Sequence, residues 1–349
     1  MNTKDKKIKI SSNKLHEYIK SGSSNIKIYY LDLGVKIVRI VCYSELFIPH
    51  INKQLTYVLR EKAANYDATI VLWEEKNIEN LCEDSSLFIS NLSQQVVNPI
   101  THVITAENTI TLYAPETETY YYGVKDLNPE EFVKEGHIFV QILNKILKTD
   151  STALVHGACI GLYNKGILIC ARGQRGKSTL TVLSLLEGFE YVSDDYLILE
   201  KNNESLYAYP IYSIITLSPK MYNEMYDRLA GSRFISNNAR KDKYVFNIAN
   251  LHNQFRNKYP IKLCMALEFS DDNEPSFVEC SKQEKGSAIT QMVHSTVLQM
   301  HDMQDVKTIK KLIDMVSNFK FYKLNLCKDI YKNVEYLKRF IKEYGDDYI

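Results

Sequence analysis

The sequence predicts an α/β protein in which a domain built around a phosphate-binding loop follows a smaller N-terminal α/β domain. Two observations support this fold class. An apolar run, Ile167–Cys170, leads into the glycine-containing stretch Ala171–Thr179, and a helical pattern begins directly after it. Short apolar stretches with strand periodicity also alternate with helical patterns through both halves of the chain.

Composition and charge indicate which partners and which cellular compartment to expect. The chain has 349 residues, with 43 Lys and Arg against 42 Asp and Glu, so its formal net charge is +1. Such a balance gives no bulk field that would favour nucleic acid or an anionic membrane. The first residues lack the apolar core of a signal peptide, and no apolar run is long enough to span a bilayer. We therefore expect a cytoplasmic protein with no nucleic-acid or membrane partner.

The seven cysteines indicate a reducing compartment. They are scattered, several lie in apolar runs, and no Cys-x-x-Cys pair occurs. Buried reduced thiols are expected from this usage, and the spacing gives no support for a zinc site.

The sequence predicts a polar arm over residues 1–24 and the smaller domain over residues 25–126. We expect this domain to hold a substrate or partner. A helix is expected over His50–Ala64. Alternating patterns predict strands over Ile26–Tyr30, Val35–Cys42, Ala68–Trp73, Thr101–Thr105, Thr109–Tyr113 and Thr119–Tyr122.

The second domain is expected over residues 127–349, entered through a helix from Asn128 to about Lys148 that starts with a capping side chain and a proline. The basic stretch Asn237–Lys243 predicts an exposed loop. The other predicted elements are strands over Leu154–Leu162, Ile167–Cys170 and Ile261–Phe269, a helix ending at Gly188, and helices over Val306–Phe319 and Ile330–Tyr344.

The loop carries the chemistry of polyphosphate binding. Gly173 and Gly176 let the backbone approach phosphates, Lys177 can reach the β- and γ-phosphates, and the Ser178 hydroxyl can ligate Mg²⁺. Ala171 stands where the usual motif has its first glycine, so a glycine-rich turn with a solvated lysine is the alternative. The predicted nucleotide-binding residues are Arg172, Gly173, Gln174, Arg175, Gly176, Lys177, Ser178 and Thr179.

Two further features supply acid–base groups. Asp194 and Asp195 stand at the edge of a short apolar strand, where adjacent side chains point to opposite sides, so one carboxylate faces Mg²⁺ and the other the acceptor. A solvated turn is the alternative. His156 lies in a strand with small neighbours; by itself it fits a satisfied core residue as well as a catalytic one.

Together these elements resemble the catalytic core of the HPr kinase/phosphorylase family, in which a His-Gly strand, a phosphate loop and a Val-x-Asp-Asp strand follow at similar spacing. The similarity covers roughly residues 150–200. It implies a mixed-sheet fold related to that of ATP-dependent phosphoenolpyruvate carboxykinase, and an HPr-kinase-like catalytic domain over 127–349. ATP and Mg²⁺ are the implied cofactors, and a homo-oligomer is an implied possibility.

The resemblance also implies a role for each residue of the core. Lys177 neutralises the transferred phosphate, Ser178 holds Mg²⁺, and Asp194 supports the metal or the loop. Asp195 accepts the hydroxyl proton, and His156 lies near the γ-phosphate or Asp195. A weak serine nucleophile needs this kind of positioning, charge neutralisation and carboxylate base. Three basic residues, Arg240, Lys241 and Lys243, are further candidates for contact with phosphate, with simple solvation as the alternative.

Departures from the family shape the expected activity. The loop that family members use for phosphorolysis has no recognisable counterpart, which argues against phosphorylase activity. The chain looks more like divergent HPr-kinase-like proteins encoded beside ribosomal-peptide modification genes, including lasso-peptide ones. The expected function is therefore a kinase acting on a serine of a peptide or small protein. A small-molecule kinase acting on free serine, and a nucleotide-binding regulator without transfer activity, are the alternatives.

Overall fold

The chain divides into two units, Met1–Ile138 and Phe139–Ile349. The computed structural model describes residues 12–21, 25–75, 102–106, 109–125, 137–171, 173, 175–229, 233–238, 243–248, 253–299 and 306–344. The predicted domain boundary after residue 126 falls outside these ranges.

In the first unit, the described strands form one mixed sheet with the order β3-β1-β2-β4-β7-β6-β5. They are β1 (Lys27–Asp32), β2 (Ile37–Cys42), β3 (Leu59–Arg60), β4 (Ala68–Glu75), β5 (His102–Ala106), β6 (Thr109–Ala114) and β7 (Thr119–Lys125). The three central strands β2, β4 and β7 run parallel, and the outer pairs are antiparallel. The strands predicted in this region are confirmed, and β5 and β6 pair antiparallel.

The predicted helix over His50–Ala64 is wrong for most of its length. Helix α2 (Ile48–Gln54) ends early, and Leu59–Arg60 instead pairs with Tyr30–Leu31 of β1. Since Leu55 is fully buried, tertiary packing sets the turn that ends the helix. In the polar arm, a short helix α1 (Ser12–Ser21) is present.

The second unit holds most of the helices that the structure describes, and a larger mixed sheet. Its strands are β8 (Thr152–His156), β9 (Ala158–Leu162), β10 (Lys165–Cys170), β11 (Glu190–Ser193), β12 (Tyr196–Asn202), β13 (Ser205–Tyr209), β14 (Ile214–Leu217), β15 (Arg233–Asn238), β16 (Lys243–Asn247), β17 (Tyr259–Phe269), β18 (Ser276–Glu279) and β19 (Phe321–Leu326). Its helices are α3 (Val140–Leu147), α4 (Lys177–Leu186), α5 (Pro219–Met225), α6 (Lys282–Gln299), α7 (Val306–Val316) and α8 (Ile330–Glu343).

The larger sheet folds back on itself. Its main path runs β11-β9-β10-β17-β13-β12-β8, and β19 and β18 extend it from the far end of β17. Two connections in this sheet are very short. Gly157 alone separates β8 from β9, and Asp194 and Asp195 alone separate β11 from β12. In both cases the two connected strands belong to opposite ends of the strand order. One or two residues span roughly 7–11 Å, so the two ends of the sheet must lie close together.

Strand β10 is central and covered on both faces. Its residues from Gly166 to Cys170 are all buried, and it pairs with β9 antiparallel and with β17 parallel. Leu168 and Cys170 pack into a core that includes Met292 of α6 and Leu312 of α7. The intervening side chains point to the other face of the sheet, so this strand is a rigid base for the loop that follows it.

Several predictions for this unit need correction. The helix predicted from Asn128 to Lys148 begins only at Val140, because His137–Phe139 form a turn in which Phe139 has φ of 62°. Its predicted first part lies outside the described residues. The predicted strand Leu154–Leu162 is two strands, broken at Gly157. The basic stretch Asn237–Lys243 is not wholly a loop, since its ends belong to the paired strands β15 and β16.

Four further elements of this unit, α5, α6, β18 and β19, were not predicted from the sequence. Strand β17 and helices α7 and α8 are confirmed. Gly188, with φ of 90°, ends α4 as expected: its N–H donates to Leu185 O, and Phe189 N–H donates to Ser184 O. The described cysteines, all but Cys82, are free thiols. Among the described residues, no helix is long and apolar enough to cross a bilayer.

We expect Gly166→Ala to destabilise the second unit by about 1–3 kcal/mol. A Cβ at this position would overlap the carbonyl oxygen of Pro260 in β17, and a main-chain neighbour in a buried sheet cannot move aside cheaply. Urea unfolding followed by circular dichroism would measure the loss. Gly286→Ala in α6 is the matched control, because nothing lies near its added methyl; it should gain up to about 1 kcal/mol. Equal stability of the two variants would contradict this packing.

Candidate active site

The predicted order of strand, loop and helix is confirmed. The chain leaves β10 at Cys170 and enters α4 at Lys177. Gly176 precedes the helix with φ of 85°, a left-handed conformation that favours glycine, and its carbonyl accepts the first helical hydrogen bond from Leu180 N–H. The unpaired N–H groups of the first helical turn therefore face the loop, which is a suitable arrangement for an anion.

The predicted loop residues differ in exposure. Gly173 and Arg175 are exposed, Gly176, Ser178 and Thr179 are half-buried, and Lys177 is buried. Arg172 and Gln174 lie outside the described residues. A buried lysine needs a partner for its charge, so the surroundings of Lys177 decide what this site can do.

Three predicted residues meet at the ammonium group of Lys177. Its Nζ lies 3.3 Å from Asp195 Oδ1 and 3.4 Å from His156 Nε2, and His156 Nε2 lies 3.8 Å from Asp195 Oδ1. His156 and Lys177 are 7% and 6% exposed, whereas the side chain of Asp195 keeps 20% exposure. The carboxylate is thus held beside a buried cation and is still open on one side to solvent or a substrate.

A tight turn positions the Asp195 carboxylate. Asp195 has φ of 68°, a left-handed conformation that aspartate tolerates better than most residues. Its carbonyl accepts a 2.9 Å hydrogen bond from Gly157 N–H, and Asp194 O accepts one of 2.9 Å from Tyr196 N–H. The two acidic residues therefore lie in a turn between β11 and β12. The expectation that they alternate within a strand is wrong, because the chain must reverse here to reach β12.

Asp194 is the most buried acid of the site, with 1% exposure. Neither of its carboxylate oxygens has a hydrogen-bond partner among the described residues. Burial, and then the charge of Asp195, raise its pKa to about 7, against a lowering by Lys177, Ser178 and Lys243. The expected alternative of a solvated turn is therefore excluded for Asp194.

The donors around Asp194 fit a magnesium ion held together with nucleotide phosphates. Mg²⁺ is usually bound by one or two carboxylates plus substrate phosphates and waters. Asp194 offers two unpartnered oxygens, and the hydroxyl of Ser178, in the first turn of α4, is close enough to affect its pKa. Within the described residues, no group of three or more His, Cys, Asp or Glu side chains is arranged to hold a metal by itself.

Other residues of the site were not predicted. The backbone N–H of His156 donates to Thr296 Oγ1 of α6 at 3.0 Å, and the ring of Tyr196 packs edge-on against the His156 ring, 5.4 Å between centroids. Tyr196 could have been found, since it directly follows Asp195 and pairs with His156 across β12 and β8. Thr296 carries no local signal, because it lies 140 residues from its partner.

Of the three basic candidates Arg240, Lys241 and Lys243, the structure describes Lys243. Lys243, the first residue of β16, is half-buried, and its charge lowers the pKa of Asp194. Arg240 and Lys241 lie outside the described residues. The predicted basic stretch therefore contributes at least one cation to the surroundings of the acidic turn.

Comparison with known proteins adds little to this geometry. No protein-family model and no curated protein matches the chain. Among solved structures, the chain is similar to the Hpr(Ser) kinase/phosphatase from Coxiella burnetii, with 12% sequence identity and a TM-score of 0.32. The match covers 55% of this chain and 99% of that one. The functional argument accordingly depends on the residues of the site.

We expect the stability of the protein to fall between pH 4 and pH 7 through Asp194. Because the folded-state pKa is raised, the folded protein binds this proton more tightly than the unfolded chain, and the advantage is lost as pH rises through about 7. Asp194→Asn should remove this dependence and stabilise the protein at pH 8 by on the order of 2–4 kcal/mol. Urea unfolding at pH 5 and pH 8 would measure it.

The control for this experiment is Asp314→Asn, which removes an exposed carboxylate of α7 and changes the net charge equally. It should leave the difference between the two pH values as in the wild type. If Asp194→Asn is less stable than the wild type at pH 8, the Asp194 carboxylate has a stabilising partner and the assigned cost of its burial is wrong.

Proposed function

We propose that this protein is an ATP- and Mg²⁺-dependent kinase that transfers the γ-phosphate to a serine hydroxyl of a peptide or small protein. The observation that carries the proposal is the contact between Lys177 and Asp195 at the start of α4, with His156 beside both. A buried ammonium group and a partly exposed carboxylate thus lie 3.3 Å apart, which supports a phosphate-binding role for Lys177 and a base role for Asp195. The motif resemblance over residues 150–200 supports the same reaction.

The arrangement accounts for each requirement of the transfer. The loop N–H groups and Lys177 offset the charge of the phosphates. The Asp195 carboxylate takes the proton of the acceptor hydroxyl while the acceptor oxygen bonds to the γ-phosphorus. The bond from that phosphorus to the bridging oxygen breaks, and ADP leaves with the electron pair. His156 lies beside Asp195 and Lys177 and helps to hold the carboxylate where the hydroxyl must arrive.

Asp194 and Ser178 are the residues that would hold Mg²⁺. The ion would supply positive charge to the β- and γ-phosphates. A cation at Asp194 would also offset the charge of a carboxylate that burial now disfavours. Asp194 thus prepares the site for a metal–nucleotide complex, and Asp195 remains available to the acceptor.

We expect Asp195→Asn to lower phosphate transfer by roughly 10²–10⁴-fold and to change ATP affinity only slightly. Asparagine also tolerates positive φ, so the turn at residue 195 should persist and the loss should report the missing base. Transfer from γ-labelled ATP with Mg²⁺ would be measured with serine-containing peptides and with free serine. Lys177→Met, which keeps the buried stem and removes the charge, should lower both transfer and ATP affinity.

The exposed-site variant Asp314→Asn is again the control and should transfer phosphate like the wild type. Label found only on free serine would replace the peptide by a small-molecule acceptor. ATP binding with no label on any acceptor or on released phosphate would overturn the kinase in favour of a nucleotide-binding regulator. Full activity of Asp195→Asn would exclude Asp195 as the base.

A further inference from the structure

The carboxyl ends of three parallel strands meet at the edge of the sheet where the loop turns. Strand β17 runs parallel to β10, with Cys170 opposite Ala266, and parallel to β19, with Phe269 opposite Leu326. Phe269 and Leu326 are the last residues of their strands. Both side chains therefore lie at the same edge as the loop that follows Cys170.

Both side chains lie directly against the loop. A Cβ on Gly176 would be 3.1 Å from Leu326 Cδ1 and 3.6 Å from Phe269 Cζ. Leu326 is buried, with 4% exposure, whereas Phe269 is 59% exposed. The strand end is fixed, since Ser270 N–H donates to Leu326 O at 2.9 Å. More than half of Phe269 is therefore exposed to solvent beside the residue that precedes the helix.

The sheet order places this ring on the opposite side of the loop from the acidic turn. Ala158 of β9, two residues after His156, pairs with Ile169 of β10, and Ser193, next to Asp194, pairs with Cys159 of β9. The acidic turn therefore lies on the β9 side of β10. Phe269 and Leu326 belong to β17 and β19 on the other side. A nucleotide with its γ-phosphate at Lys177 and Asp195 would thus extend its nucleoside end across the loop toward Phe269.

We propose that Phe269 is the platform on which the base of the bound nucleotide stacks. The inference rests on the proposed function, because it takes the loop as the polyphosphate site. Single exposed apolar residues are common on protein surfaces, but this one is an aromatic ring whose Cζ would be 3.6 Å from a Cβ added to Gly176 of the loop. Stacking on an aromatic face needs no hydrogen-bond pattern on the base, so the platform adds affinity for a nucleoside without selecting among bases.

Calorimetric titration of the full chain with Mg·ATP and with Mg·tripolyphosphate would test the proposal. Phe269→Ala should weaken ATP binding on the order of tenfold and leave tripolyphosphate binding unchanged. Phe269→Trp should restore ATP affinity, and its added indole fluorescence should be quenched by ATP and not by tripolyphosphate. The control is Tyr163→Asn, which removes an aromatic side chain at the opposite end of β10. Tyr163 has a similar exposure of 58%, and asparagine tolerates its positive φ of 54°.

The outcomes separate this proposal from the function on which it rests. If Phe269→Ala weakens the binding of ATP and of tripolyphosphate equally, or weakens the binding of neither, the base lies elsewhere and the stacking proposal is wrong. The stacking proposal is also wrong if the wild type binds tripolyphosphate as tightly as ATP. A wild type that binds neither ligand would overturn the polyphosphate site itself, and the proposed kinase with it.

Discussion

Two very short connections constrain the whole of the second unit. Gly157 and the Asp194–Asp195 pair each link strands from opposite ends of the larger sheet, and a 2.9 Å hydrogen bond from Gly157 N–H to Asp195 O ties them together. Only two residues make the turn between β11 and β12, and Asp195 takes up a left-handed conformation in it, with φ of 68°. The position of the acidic turn beside Lys177 is therefore a property of the sheet as much as of the local sequence.

The cost of this arrangement is concentrated on Asp194. A carboxylate with 1% exposure and no hydrogen-bond partner among the described residues is an unfavourable element of a folded core. Nearby cations offset part of the cost, and Lys177 is the larger contributor. Proteins accept such local conflict where a ligand later relieves it. The burial of Asp194 is thus an argument for a bound cation that is independent of any resemblance to a family.

The sequence predicted those parts of the fold that depend on neighbouring residues. Strand β10, the glycine at 176 and helix α4 follow from an apolar run, a turn residue and helical periodicity. Helix α6 was missed because its buried face mixes Ala288, Met292 and Thr296 with polar neighbours. The His50–Ala64 helix failed because Leu59–Arg60 pairs with a distant strand. Neither the closure of the sheet nor the turn at Asp194–Asp195 has a local signature, so the side-chain geometry required the structure.

The same ammonium group serves two anions in the proposed reaction. Lys177 Nζ lies 3.3 Å from Asp195 Oδ1, and the lysine is buried. In the proposed reaction this ammonium group would also contact the transferred phosphate. One buried cation would then hold the phosphate donor next to the carboxylate that receives the serine proton. Because the closed sheet fixes the acidic turn and β10 leads into the loop, the distance between the two groups is set by the fold and not by either loop alone.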